Sequence, residues 1–167
     1  AVEKAVSTAK DVGTKSGDKL GLGVITTIDR STDAVAGTDG VAEAYSYYTA
    51  STFAADGKIT GSVIDASQAT VKFDTAGKIT SDINAAVKTK DELGDAYGMK
   101  KASTIGKEWY EQAAAFAKYA TGKTVADLKG IAVNEKGEAT SADIVSSVTV
   151  SVTDFIKVYE KASANAK

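Results

Sequence analysis

Residues 45–63 read Tyr-Ser-Tyr-Tyr-Thr-Ala-Ser-Thr-Phe-Ala-Ala-Asp-Gly-Lys-Ile-Thr-Gly-Ser-Val, and the fold class follows from that stretch. Its first half is rich in aromatic and β-branched residues that favour a pleated, half-buried surface. Alternation puts Tyr45, Tyr47 and Phe53 on one face of a strand over 41–54 and Tyr48 on the other. Asp56-Gly57 then supplies the positive-φ chemistry of a tight hairpin turn. The chain returns over 58–66, with Ile59 and Val63 alternating.

Upstream, from Lys19, Leu20, Leu22, Val24, Thr26 and Ile28 share one face and Gly21 and Gly23 the other, which predicts a half-buried strand. The two glycines lack the third glycine of a dinucleotide fingerprint and suit a strand crossing close to another backbone. Downstream, Val71 and Phe73 share a side, and Ala76-Gly77 turns the chain into residues 78–80. Gly-Lys-Ile-Thr stands at 57–60 and again at 77–80, one turn solution used twice rather than a repeat unit. Residues 19–80 therefore read as an antiparallel meander.

Past Ile83 the period lengthens. A short helix is expected over 90–97, ending at Gly98. A second is expected over 105–121, with Ile105, Trp109, Ala113, Phe116 and Ala120 on one stripe, Ser103 or Thr104 as its cap, and Gly122 beyond it. Thr124 to Asp127 has capping-box spacing for a brief helix stopped by Gly130, and Lys136-Gly137 reads as a turn. Val148, Val150 and Val152 alternate like a strand, whereas Val148, Val152, Phe155, Tyr159 and Ala162 satisfy helical spacing. The reading adopted is a helical turn, an irregular segment over 147–150, and a final helix over 151–162. Strands first and helices after give an α+β domain, its helices packed on one face of the sheet.

A chain of 167 residues suits one domain, over 19–167. It begins at Ala1, and residues 1–18 hold little to bury, which reads as a flexible tether. A cleaved signal or a trimmed lipid-bearing cysteine upstream of residue 1 fits that start, and so, nearly as well, does an arbitrary boundary. The corresponding location is outside the cytoplasm, anchored at the cell surface.

Twenty Lys and Arg stand against 22 Asp and Glu. That balance gives no basic field for phosphate backbones, so nucleic acid is not an expected partner. Arg30 is the sole arginine, and histidine, cysteine and proline are absent. These absences remove Ser-His-Asp and Cys-His catalysis, thiolate or imidazole zinc sites and iron–sulfur ligation. Gly122-Lys123-Thr124 ends like a phosphate-cradling loop but lacks its first glycine, position 117 being Ala. Glu108 and Glu111 cancel the field of Lys107 and Lys118 around Trp109, Tyr110 and Tyr119, so Trp109 and Phe116 read as core, with the two tyrosines at its edge. Asp56, Asp65, Asp74 and Asp82 fall at turns or on exposed faces, which favours solvated surface over an acid and base pair. A hydrolase is not expected.

Two stretches resemble the FMN-binding domain of bacterial surface lipoproteins and membrane redox subunits. Asp56-Gly57-Lys58-Ile59-Thr60-Gly61-Ser62-Val63 is similar to that family's hairpin, D-G-K-I-x-x-V. Asp143-Ile144-Val145-Ser146-Ser147-Val148-Thr149-Val150-Ser151, ahead of an apolar helix, resembles a worn D-x-x-[ST]-G-A-T-x-[ST]. Between them, Thr89-Lys90-Asp91-Glu92-Leu93, Tyr97-Gly98-Met99 and Ile105-Gly106-Lys107-Glu108-Trp109 are similar to segments of clostridial lipoproteins. The resemblance implies an FMN-binding-like fold and a flavin whose phosphate is carried at Thr149, with Ser146, Ser147, Ser151 and Asp143 around it. It implies electron transfer with a membrane redox partner, the flavin supplying the chemistry. Ser147 and Val148 stand where the family has Gly-Ala, removing backbone freedom and adding bulk. Tyr45, Tyr47, Tyr48 and Trp109 are the candidates for an aromatic wall. The alternative is a cofactor-free binding or structural lipoprotein that kept the fold and lost the flavin site.

Overall fold

A computed structural model describes residues 2–167. Three strands, β1 (Lys19–Thr27), β2 (Gly40–Phe53) and β3 (Ile59–Phe73), form one antiparallel sheet in the order β1-β2-β3. The helices are α1 (Val2–Ser7) before the sheet and α2 (Lys90–Leu93), α3 (Trp109–Ala120), α4 (Val125–Lys129), α5 (Ala142–Val145) and α6 (Thr153–Ala164) after it. Short 3₁₀ turns at Gly94–Tyr97 and Met99–Lys101 join α2 to the approach of α3. This is an α+β architecture with the helices following the strands. Among the described residues no helix is long and apolar enough to cross a membrane.

The 54–58 turn closes as its composition predicts. Gly57 has φ 80, its amide donates to the Ala54 carbonyl at 2.9 Å, and the Lys58 amide donates to Asp56 Oδ1 at 3.1 Å. β3 runs unbroken through Ser67 and Gln68, beyond the 58–66 span expected from the sequence. Those residues pair in register with Ser46 and Tyr45, and the Gln68 amide donates to Glu43 Oε1 at 3.3 Å, so neighbouring side chains satisfy their polarity. Residues 78–80 contribute only a bridge, Ile79 to Phe73, rather than a fourth strand.

Tyr45, Tyr47 and Phe53 face the core, and Tyr48 faces the other way. On β1 the glycines face the helices. A Cβ on Gly21 would lie 2.0 Å from the Ala162 carbonyl oxygen, and one on Gly23 would lie 1.9 Å from that of Val158. Only a bare backbone lets α6 approach so closely. Leu20 and Leu22 consequently sit on the outer face, 61% and 59% exposed. The free edge of β1 is met by the chain end, where Leu20 and Lys167 exchange backbone hydrogen bonds of 3.1 and 3.2 Å.

α6 covers β1 and β2, and α3 covers β3. Phe155 is the hub between the layers, its ring centroid 6.2 Å from Tyr47, 5.6 Å from Trp109 and 5.4 Å from Phe116. α3 starts at Trp109, four residues later than its apolar stripe suggested. Gly106 takes φ 63 and closes a turn onto the Ser103 carbonyl at 3.0 Å, which interrupts the helix. Glu108 is the cap in place of Ser103 or Thr104, its amide donating to Glu111 Oε2 at 2.8 Å. α4 carries the expected Thr124 and Asp127 capping box, and residues 147–150 are irregular ahead of α6. The leading segment lies along the sheet: Val12 sits over Gly61, and Thr60 donates to Asp18 Oδ2 at 2.5 Å.

Candidate functional site

Residues 146–152 make the bend between α5 and α6. Val148 and Val152 are fully buried in it, anchoring the bend to the core. The buried side chain of Gln112, from α3, reaches the same bend. Its Oε1 accepts the Thr149 amide at 2.8 Å, the Val150 amide at 3.2 Å and the Thr149 hydroxyl at 3.2 Å. Its Nε2 donates to the Lys107 carbonyl at 3.2 Å and Ser103 Oγ at 3.3 Å. A neutral amide thus satisfies the Thr149 and Val150 donors that an anion at this bend would otherwise meet.

Beside the bend a cleft of about 290 Å³ opens between β2, the start of α2 and the start of α3. Alternation along β2 delivers Tyr45 and Tyr47 to it, their rings stacked 4.5 Å apart. The 94–99 turns add Tyr97 and Met99, α3 adds Trp109, and Glu138, Thr149, Val150 and Ser151 close the far wall. A second cleft of about 460 Å³ adjoins it and shares Met99, Glu138 and Thr149. Another groove, about 350 Å³, lies between the leading segment and α3. There Lys10 is already paired with Asp91 at 3.9 Å, and nothing charged is buried.

Lys90 is the unusual residue of the cleft. It is 3% exposed, and its ammonium lies 4.4 Å from the Tyr97 ring centroid, 4.7 Å from Tyr45 and 4.8 Å from Trp109. It donates to the Tyr45 hydroxyl. Arg30 lies at the mouth, its guanidinium carbon 4.5 Å from the centroid of the same Tyr45 ring. Among the described residues neither cation has a carboxylate within ion-pair distance. Three aromatic faces attract a cation, but they replace little of its hydration. Burial, and then the Arg30 charge, push the Lys90 amine down to about 7, against the opposing pull of Glu43 and Asp65. Burial raises the Tyr45 and Tyr97 phenols, so both stay protonated at neutral pH.

The five residues singled out from the sequence divide. Thr149 and Ser151 line the cleft. Ser147 is turned back, donating to the Ile144 carbonyl at 3.2 Å. Ser146 ends α5 on the surface, and Asp143 lies exposed near Tyr119, whose phenol it helps to raise after burial. Of the expected aromatic wall, Tyr45, Tyr47 and Trp109 face the cleft. Tyr48 does not, because it follows Tyr47 in a strand and takes the opposite face.

Lys90, Tyr97, Gln112 and Glu138 were not legible as site residues. Arg30 carried a signal in being the only arginine. Lys90 offered none, since a lysine opening a short helix is ordinarily solvated. Glu108, taken from the sequence for part of a surface field, is buried and accepts the Met99 and Lys100 amides at 2.9 Å each. It thereby sets the 99–101 turn that carries Met99 into the cleft.

No family model matches the chain, and no solved structure matches it. A stretch of 41 residues, 25% of the chain, is 54% identical to chlorophenol reductase of Desulfitobacterium hafniense. The match spans 12% of that protein, so the likeness is to a small segment of it.

Proposed function

We propose that the chain is an extracytoplasmic, lipid-anchored flavin mononucleotide carrier that binds its flavin without a covalent bond and passes electrons to or from a membrane redox partner. The observation that carries the reading is the cleft beside Thr149, where Tyr45, Tyr47, Tyr97 and Trp109 form a wall beside two cations that, among the described residues, have no carboxylate within ion-pair distance. Aromatic faces suit a planar ring, and unpaired cations suit a ligand that brings negative charge. Volumes of about 290 and 460 Å³ in adjoining clefts suit a ligand of this class.

The fit is uneven, and the unevenness decides the mode of attachment. The ring and charge requirements of FMN match the cleft, but the amides at Thr149 and Val150 and the Thr149 hydroxyl are committed to Gln112. Attachment through a Thr149 phosphodiester would have to break that arrangement. The flavin, when bound, supplies the redox chemistry, and the protein supplies orientation, charge and a dry wall.

Titrating FMN into the purified protein tests the reading. Stacking against Tyr and Trp should quench flavin fluorescence saturably at one FMN per chain, with the intact mass under denaturing conditions equal to the bare sequence. Unquenched FMN throughout the titration would refute flavin binding and favour the cofactor-free alternative, and an added FMN mass would refute the non-covalent mode.

A further inference from the structure

We propose that the anionic group of the cleft's ligand is held by the Lys90 ammonium and the Arg30 guanidinium rather than by the Thr149 and Val150 amides of the bend. The ligand class is a planar aromatic ring carrying a phosphate. The proposal deepens the flavin reading and relies on it only in naming FMN as the first probe.

Three observations carry it. The amides of Thr149 and Val150 are already used, so neither offers an anion a free donor. Lys90 is almost wholly buried yet has one hydrogen-bond acceptor, the Tyr45 hydroxyl, for an ammonium with three donors. Arg30 meets the same tyrosine ring at 4.5 Å, with no carboxylate within ion-pair distance among the described residues. Two like charges converging on one ring repel each other, and while Lys90 keeps its proton a negative group relieves that cost. A guanidinium fork and a compact ammonium together suit a dianion.

The groups facing Lys90 define how pH acts on the site. They are Arg30 from the loop after β1, Glu43, Tyr45 and Tyr47 from β2, and Asp65 from β3. Tyr97 comes from the 94–97 turn, Glu108 stands ahead of α3, and Glu138 closes the far wall. Carboxylates as a class titrate near ~4 and phosphate monoesters complete their ionisation near ~6. Burial holds the phenols protonated, so between pH 7 and 9 Lys90 is the group that changes charge. Its loss of a proton in the free protein should weaken anion binding across that range.

The test compares FMN, riboflavin, which lacks the phosphate, and phenyl phosphate, by calorimetric titration of the intact chain. Wild type should bind FMN at least about tenfold tighter than riboflavin at pH 7. Lys90→Met, which keeps the stem and removes the charge, should weaken FMN about 10- to 100-fold and leave riboflavin within about threefold. Arg30→Gln, at an exposed position where folding is not at stake, should weaken FMN about 3- to 10-fold. From pH 7 to 9 the wild-type affinity for FMN should fall about tenfold or more, and that of Lys90→Met should stay level.

Equal affinity for FMN and riboflavin in wild type, or an unchanged FMN affinity in both variants, would overturn the proposal while leaving flavin binding intact. If neither flavin binds but phenyl phosphate does, in a Lys90-dependent way, the anion subsite stands and the flavin reading falls. If none of the three binds, both fall.

Discussion

The bend at residues 146–152 and the cage around Lys90 face each other across one cleft and treat their polar groups in opposite ways. At the bend, one buried glutamine accepts three donors and gives its own two hydrogens away, leaving the Thr149 and Val150 amides with nothing for a ligand. In the cage, a buried ammonium has a single hydroxyl acceptor and a second cation for company. Satisfied polar groups hold a fold together, whereas a buried charge left without a counter-charge costs stability that is recovered by binding an anion or by losing the proton. The difference separates the segment that most resembles a flavin-attachment motif from the residues best equipped to receive an anion.

The largest expected effect comes from breaking the satisfied side. Gln112→Leu leaves the amides of Thr149 and Val150 without their acceptor in a half-buried bend. It should destabilise the protein by about 2–4 kcal/mol in urea denaturation. Truncating the unsatisfied side should do the reverse. Lys90→Met removes a buried, uncompensated charge and should stabilise the ligand-free protein by about 1–3 kcal/mol at pH 7, while costing FMN affinity. Loss of stability on that substitution would contradict the contrast.

The same contrast fixes the sign of a pH effect. In the unfolded chain Lys90 holds its proton to an ordinary lysine value, but in the folded protein it releases it at about 7. Above pH 7 the unfolded state therefore binds more protons, and the stability of the ligand-free protein should rise with pH. A gain on the order of 2 kcal/mol between pH 7 and 9.5 is expected, absent in Lys90→Met, with thermal or urea unfolding as the readout. The smallest effect is reserved for the residue the motif pointed to. Thr149→Ala removes one of three donors to Gln112 and should cost about 0.5–1 kcal/mol, with FMN affinity changed less than about threefold.

The hairpin was legible because Asp56-Gly57 sits between alternating runs, where turn chemistry and strand periodicity agree. β1 was half legible. Its period was right and Gly21-Leu22-Gly23 signalled a close backbone approach, but the burial of the glycine face in place of the leucines depends on α6, distant in sequence. The start of α3 was misplaced because the stripe from Ile105 continued through Gly106, whose left-handed conformation overrides it.

The site was less legible than the fold. Tyr45, Tyr47 and Trp109 came from periodicity, since inward-facing aromatics are a local property. Lys90 and Gln112 did not, because their burial is made by elements that meet only in the folded chain. Polar residues carry no periodic signature of burial, and a motif match at Thr149 says nothing of a glutamine 37 positions away that occupies its amides.

Lys90 is a buried cation waiting for a counter-charge, and its titration tests this most directly. Nuclear magnetic resonance of the lysine side chains, with Lys90 assigned by its loss in Lys90→Met, measures its titration directly. The amine should titrate near 7 in the free protein and move upward by more than about one unit when FMN or phenyl phosphate is bound. An amine that titrates like the surface lysines, and does not move with either ligand, would contradict the account.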